Sequence, residues 1–189
     1  MKISGGTLKG RTIGIGKALL QNSDGCRLRP TPAKVREAVF NILRGVVEDS
    51  LFLDLYAGTG AVGFEALSRG AKRAVFVEEN GGLIKTIKES VSRFGLGEKA
   101  LVVRDDARTF LKKNEERFDI IFLDPPYACE ETIEVVALID RLETSGEGGI
   151  VIVEHSSKRE LAKHAGALTL QKRYKYGDTS LSLYKKGEG

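Results

Sequence analysis

From residue 51 onward the chain sets short, nearly continuous apolar runs against stretches in which apolar residues recur every three or four positions. The runs read as strands at 51–55 (LFLDL), 73–78 (RAVFVE), 100–104 (ALVVR), 118–124 (FDIIFLD) and 148–155 (GGIVIVEH). Helices are expected between and after them, at 61–69, 80–94, 106–113, 130–142 and 157–164, with Gly70 and Gly95 where C-caps belong. Strands apolar throughout and separated by helices specify a parallel sheet covered on both faces. The last two runs, LTLQKRYKY and TSLSLYK, flank Gly177-Asp178, a hairpin signal, so the final strand is expected to run antiparallel to its neighbour. That makes seven strands.

The first fifty residues follow a different pattern. GGTLKGRTI reads as a short hairpin and NSDGC as a turn. In TPAKVREAVFNIL, Thr31 is the expected N-cap and Pro32 the first helical residue, with Val35, Val39, Ile42 and Leu43 on one apolar face. The spacing divides the chain into a basic extension at 1–30 and an α/β domain at 31–189.

Charge sharpens that division. Residues 1–44 carry nine Lys or Arg against Asp24 and Glu37, a local +7 in a chain of net +4, which leaves the rest at −3. A basic segment on a mildly acidic body points to a polyanion touched at one end. Lys9, Arg11, Arg29, Lys34 and Arg36 are the candidate contacts, and Arg29 is the one expected nearest the active site. No apolar run approaches the roughly 18 residues of a membrane span, and MKISGGTLKGRTIG has no signal-peptide core, so a cytoplasmic protein is expected. Cys26 and Cys129 lack metal-ligand spacing, and His155 and His164 are the only histidines, so neither a metal centre nor Ser–His chemistry is expected. Cys129 reads as packing, His155 as a surface residue near the fifth strand, and His164 as helix surface.

In such a sheet ligands bind beyond the carboxyl ends of the strands, and the candidate chemistry falls there. Gly58-Thr59-Gly60-Ala61-Val62-Gly63 satisfies GxGxxG, with Glu78 twenty residues after Gly58, so a nicotinamide dinucleotide enzyme is one reading. Asp54, four residues before Gly58, is awkward for a pyrophosphate and suits a cation. S-adenosylmethionine, with its sulfonium and ammonium groups, is therefore the rival ligand of the loop formed by Asp54, Ala57, Gly58 and Gly60. Glu78 can accept from both ribose hydroxyls of either ligand. Asp106 can accept from an adenine amino group beside the Ala107 N–H, and it also reads as a helix N-cap.

Two of the chain's four prolines follow Asp124, in FLDPPY. The lone pair of an exocyclic base amine is delocalised into its ring. Two fixed acceptors aimed at the amine's two hydrogens push it toward tetrahedral geometry without a strong base. Asp124 supplies a carboxylate and Pro125 a carbonyl; Pro125 and Pro126 fix the backbone that holds them, and Tyr127 offers a face on which the base stacks.

FLDLYAGTGAVGFEALSRGA, VFVEEN and IIFLDPPY, with RPTPAKVREAVFNIL upstream and YGDTSLSLY downstream, resemble the RsmD family of 16S ribosomal RNA guanine-N2 methyltransferases. The resemblance spans nearly the whole chain. It implies a Rossmann-like class I methyltransferase domain, a mostly parallel seven-stranded sheet with an antiparallel last strand, after an N-terminal β-hairpin and helix. It also implies adenosylmethionine at Asp54, Ala57, Gly58, Gly60, Glu78, Asp106, Ala107 and Asp124, amine chemistry at Asp124 through Tyr127, and one guanine of 16S RNA or the small ribosomal subunit as target, reached by a monomer without metal or membrane. Asn80 stands where relatives often carry Asp, and both cap a helix. D-P-P-Y also occurs in methyltransferases of DNA adenine N6, and close variants serve protein glutamine amides, so those substrates stay open. A binding module with a vestigial site is disfavoured by acids at all four strand ends.

Overall fold

The computed structural model describes residues 1–14, 32–125 and 132–186. Its elements, in chain order, are α1 (Ala33–Ile42), β1 (Leu51–Leu55), α2 (Ala61–Ser68), β2 (Arg73–Glu78), α3 (Gly81–Phe94), β3 (Ala100–Arg104), α4 (Ala107–Lys113), β4 (Phe118–Leu123), α5 (Thr132–Arg141), β5 (Ser145–Ser156), β6 (His164–Ala165), β7 (Leu168–Tyr176) and β8 (Thr179–Lys186). They form one eight-stranded sheet in the order β3-β2-β1-β4-β5-β8-β7-β6. β3 through β5 pair in parallel, and β8 runs antiparallel to both β5 and β7. The expected antiparallel last strand is therefore present, and a Rossmann-like sheet is the fold.

Two apolar layers sandwich the centre of the sheet, where β1, β2, β4 and the inner part of β5 are buried on both sides. Phe52, Phe76, Phe122 and Ile152 face α1, α2 and α3 through Val39, Phe64 and Ile87. Leu53, Val75, Ile121 and Val153 face α4 and α5 through Phe110, Val135 and Ile139. β1 leads through α2 to β2 on one side, whereas β4 lies on its other side, so the strand order reverses between β1 and β4. A ligand crevice opens at such a point.

The N-terminal residues form a short antiparallel ribbon: Lys2 bridges Thr12, and the Ile3 N–H donates to the Arg11 carbonyl at 3.0 Å. Ile3, Leu8 and Ile13 are buried in the same layer as α1 and α2. The NSDGC turn and Thr31 lie outside the described residues. Pro32 is the N-cap of α1 rather than its first helical residue, with ψ at 144°, an extended geometry that the helix does not continue.

The helix expected at 157–164 is absent. The segment turns and then pairs as β6, which is the eighth strand. Its carbonyls find tertiary donors instead of helical ones: Arg173 Nη2 donates to Ser157 and Arg159 at 2.8 Å each, and the Tyr184 hydroxyl donates to Ala162 at 2.8 Å. An eight-residue segment has little intrinsic helical stability to set against these bonds. Among the described residues no helix is long and apolar enough to cross a membrane.

Candidate active site

β1 runs into a tight turn. Tyr56, Gly58 and Gly60 have φ of 66°, 56° and 77°, and Gly60 caps α2. At Gly60 a Cβ would also meet the Phe64 ring at 2.9 Å, so both backbone angle and space call for glycine. A Cβ on Gly63 would stand 2.3 Å from the Phe76 ring, so glycine there lets α2 press directly onto β2. Ala57 is buried, and its N–H donates to the Val77 carbonyl at 2.9 Å, tying the turn to β2.

The amides of this turn are already held by carboxylates. Asp54, 2% exposed, accepts the Gly63 N–H at 2.8 Å through Oδ2, which satisfies a free amide in the first turn of α2. Glu78 accepts the Gly58 N–H at 2.8 Å through one oxygen and the Asn80 N–H at 2.9 Å through the other. A dinucleotide pyrophosphate needs those turn and helix amides for itself and would meet two carboxylates in their place. A cation meets a favourable field there. Of the two ligands GxGxxG permits, the geometry favours adenosylmethionine.

Burial pushes the Asp54 carboxyl well above the usual carboxylate range; the Gly63 N–H opposes this, and the charges of Asp124 and Glu78 add to it. Burial likewise raises Glu78, against the pull of the Asn80 and Gly58 amides. Each oxygen of Glu78 keeps a second lone pair, so two hydroxyls can still be accepted. Asn80 caps α3 through the Gly82 and Leu83 amides. Asp106 caps α4 by accepting the Thr109 N–H at 3.0 Å, and its bonds to Thr109 hold it below the carboxylate range. Asp106 is exposed and the adjacent Ala107 is buried, so the cap carboxylate stands at the surface beside a buried turn.

Asp124 follows β4 across the reversal point from Asp54. Asp54 lies opposite Phe122, so Asp124, two residues on, points to the same face one row nearer the carboxyl end. It is half-buried, and Pro125 behind it is buried. Pro126, Tyr127 and Cys129 lie outside the described residues, as do Cys26 and Arg29.

Comparison with known proteins adds to this geometry. The family described as conserved hypothetical protein 95 matches residues 1–185. The chain belongs to this, the RsmD family. A Bacillus subtilis relative named "Putative rRNA methyltransferase YlbH" is 36% identical over 98% of this chain and 99% of its own. The "Ribosomal RNA small subunit methyltransferase D" of Haemophilus influenzae is 31% identical over 98% and 93%. The solved Escherichia coli structure named "Putative methyltransferase yhhF" superposes with a TM-score of 0.87 at 28% identity, covering 100% of this chain and 99% of that one.

Within this RsmD-family fold the five basic candidates part company. Lys9, Arg11 and Lys34 are exposed. Arg11 stacks 5.7 Å over Phe94, the last residue of α3. A helix of 14 residues is about 21 Å long, so Arg11 lies about that far along α3 from the end beside Glu78. Arg36 is corrected: it is 2% exposed, sits 3.5 Å from Glu65 and donates to the Lys2 carbonyl at 2.8 Å, so it offers no charge to a surface ligand. α1 turns its apolar face to the core, and Arg36 sits beside that face where the buried Glu65 of α2 meets it.

His155 is also corrected. It is buried inside β5, bonded to Ser182 Oγ at 2.8 Å and the Ser156 carbonyl at 2.9 Å, on the opposite face from Asp54. His164 is exposed, in β6 rather than on a helix.

Glu154, the residue before His155, did not figure among the sequence candidates. It is 2% exposed on β5, and its Oε2 has no hydrogen-bond partner. Burial and the Asp124 charge push its carboxyl well above the carboxylate range. The sequence held one signal for it: an acid closing the apolar run IVIVE just as Asp124 closes IIFLD.

Proposed function

We propose that the chain transfers a methyl group from S-adenosylmethionine to the exocyclic N2 of a guanine in 16S ribosomal RNA, on the small subunit or its precursor. The carrying observation is the disposition of Asp54 and Asp124 on either side of the strand-order reversal, with Glu78 closing the glycine turn. The names borne by relatives matched along nearly their whole length support ribosomal RNA as the substrate class, and two of them name the small subunit.

Asp54 and the turn at Ala57, Gly58 and Gly60 suit the cationic amino-acid end of the donor, Glu78 its ribose, and Asp106 with the Ala107 N–H its adenine. The donor supplies, when bound, a methyl group made electrophilic by a sulfonium. Asp124 and the Pro125 carbonyl accept the two hydrogens of the target amine and hold its lone pair in line, with Pro126 stiffening the turn and Tyr127 stacking on the base. As the N–C bond forms, the methyl–sulfur bond breaks and its electron pair stays on sulfur as a neutral thioether; the nitrogen then sheds one proton, which Asp124 can accept. Residues 31–189 act as the catalytic domain and residues 1–30 as an RNA-gripping extension, with Lys34 and Arg29 near the substrate and Lys9 and Arg11 on more distant phosphates.

The test is incubation with labelled adenosylmethionine and three substrates: naked 16S RNA, small subunits from a strain lacking the enzyme, and duplex DNA. Label is expected as N2-methylguanosine in the RNA or the subunit. Label recovered as N6-methyladenine from DNA overturns the reading. A second measurement follows the salt dependence of RNA binding. Lys34→Ala is expected to weaken binding and to lower the slope of log affinity against log salt by about 0.7 to 0.9, the share of one phosphate contact. An unchanged slope removes Lys34 from the interface.

A further inference from the structure

Asp124 follows β4 directly and Glu154 lies on β5, the neighbouring parallel strand. β4 and β5 pair with Phe122 opposite Ile152, so Asp124 and Glu154, each two residues further on, share one row and one face of the sheet. Adjacent strands lie about 4.8 Å apart. Resting on the reading of Asp124 as the amine's acceptor, we propose that Glu154 is a positioning residue: the two carboxyls hold one proton between them, with Glu154 donating it and Asp124 accepting.

The surroundings leave little alternative for a buried acid. Glu154 is 2% exposed and its Oε2 lacks a partner, a costly state for an ionised oxygen and one that a proton directed at Asp124 relieves. Among the described residues, the groups packed around it on the sheet and its covering helices bring no unpaired buried positive charge. Asp124 comes from β4, Asp54 from β1 one row back, and Glu78 from the end of β2. β8 presents Leu181 opposite Glu154, with Leu183 beside it. On the covering helices, Arg36 of α1 is bound to Glu65 of α2. On β7 the Tyr174 ring packs against this layer, and Lys172, 4.9 Å over that ring, is exposed. Two carboxyls side by side in such a setting do not both ionise. Burial first, and the Asp124 charge second, favour the neutral form of Glu154.

The consequence is mechanical. Donation from Glu154 fixes the rotation of the Asp124 carboxylate, so its remaining lone pairs stay aimed at the amine, and the pair carries one negative charge instead of two.

The experiment compares full-length wild type, Glu154→Gln and Glu154→Leu. The Gln amide can still donate to Asp124, so E154Q is expected to keep kcat within about threefold. E154L removes the donor and is expected to lower kcat by about 10- to 100-fold, the worth of a hydrogen bond to a charged group, with KM for adenosylmethionine unchanged. Wild-type activity is expected to fall at alkaline pH as the shared proton leaves, and E154Q, which has no such proton, is expected to stay flat. Two readouts need no RNA. The infrared difference between wild type and E154Q at neutral pH is expected to contain a protonated carboxyl band. Thermal unfolding supplies the other: a carboxyl raised in the folded state adds stability below its ordinary value of 4.5 and loses it as pH rises, so E154Q is expected to be the more stable protein at about pH 8 and no more stable at about pH 4. Absence of the infrared band, or E154Q falling as far as E154L, overturns the proposal. Should the wild type methylate no RNA, the proposed function falls, and the band together with the unfolding profile still decides whether the proton is shared. Should E154L fail to fold, E154Q and the band decide it.

Discussion

Asp124→Ala is expected to lower the rate of methyl transfer by about 10²- to 10³-fold, the usual consequence of deleting one preorganised hydrogen-bonding group at a reacting centre. The Pro125 carbonyl remains and can hold one amine hydrogen, but the lone pair is then free to relax back into the ring. Affinity for adenosylmethionine is expected to change only a fewfold. Asp54, Glu78 and the glycine turn are intact in the variant, and the hydrogen bonds that hold them do not pass through Asp124. Asp124→Asn keeps a carbonyl acceptor and loses the charge. A charge-assisted bond is roughly twice as strong as a neutral one, so the loss is expected to be smaller, about tenfold. Isothermal titration with adenosylmethionine and single-turnover transfer on small subunits separate binding from chemistry. If Asp124→Ala loses donor affinity in proportion to rate, Asp124 is a donor-binding residue and the amine assignment is wrong.

Glu65→Ala is expected to be the most damaging single change to stability. Glu65 in α2 is 0% exposed and joins three parts of the chain. Its oxygens accept from the Ser4 N–H and the Ser4 hydroxyl at 2.8 Å each and from Arg69 Nε at 2.9 Å, and Arg36 of α1 stands 3.5 Å away. Removing one partner of a buried ion pair costs about 3–5 kcal/mol, because the remaining charge is left uncompensated in a low dielectric. At about 2–4 °C per kcal/mol for a chain of this size, the midpoint falls by roughly 6 to 20 °C. Urea unfolding checks the value, and a loss below about 1 kcal/mol would show that the Arg36 guanidinium finds water. The double variant Arg36→Met, Glu65→Leu is expected to recover much of the loss, since an apolar pair of similar volume needs no compensation. The N-terminal ribbon is held to α2 by the same Glu65, so its protection against proteolysis is expected to fall together with stability.

How much of this was legible in the sequence depended on the range of the interaction. β1 and β2 begin and end where their apolar runs do, because a strand buried on both faces must be apolar along its length. The α3 boundaries were readable from Asn80 and Gly95, whose capping bonds close within a few residues. The 157–164 segment was misread for the converse reason. The local pattern favoured helix, whereas the outcome rested on Arg173 and Tyr184, residues distant in sequence that hold the carbonyls of the segment. In the site, Asp54, Glu78 and Asp124 announced themselves by closing strands, and the turn glycines by their spacing. Glu154 closed a strand too, but nothing in GGIVIVEH shows which strand will be its neighbour.

By itself the sequence determined the order of elements as far as β5, the parallel sheet with its antiparallel last strand, and which residues at the strand ends are the candidates for chemistry. These follow from periodicity, turn residues and short motifs, all set within a few residues of one another. Only the tertiary structure decided that Glu78 and Asp54 take the amides a phosphate would need, that Arg36 is buried against Glu65, and that Glu154 lies on the strand beside the one that Asp124 follows. Charge and hydrogen bonding act through space, and which side chains share a face is fixed only once the strands have chosen their neighbours and register.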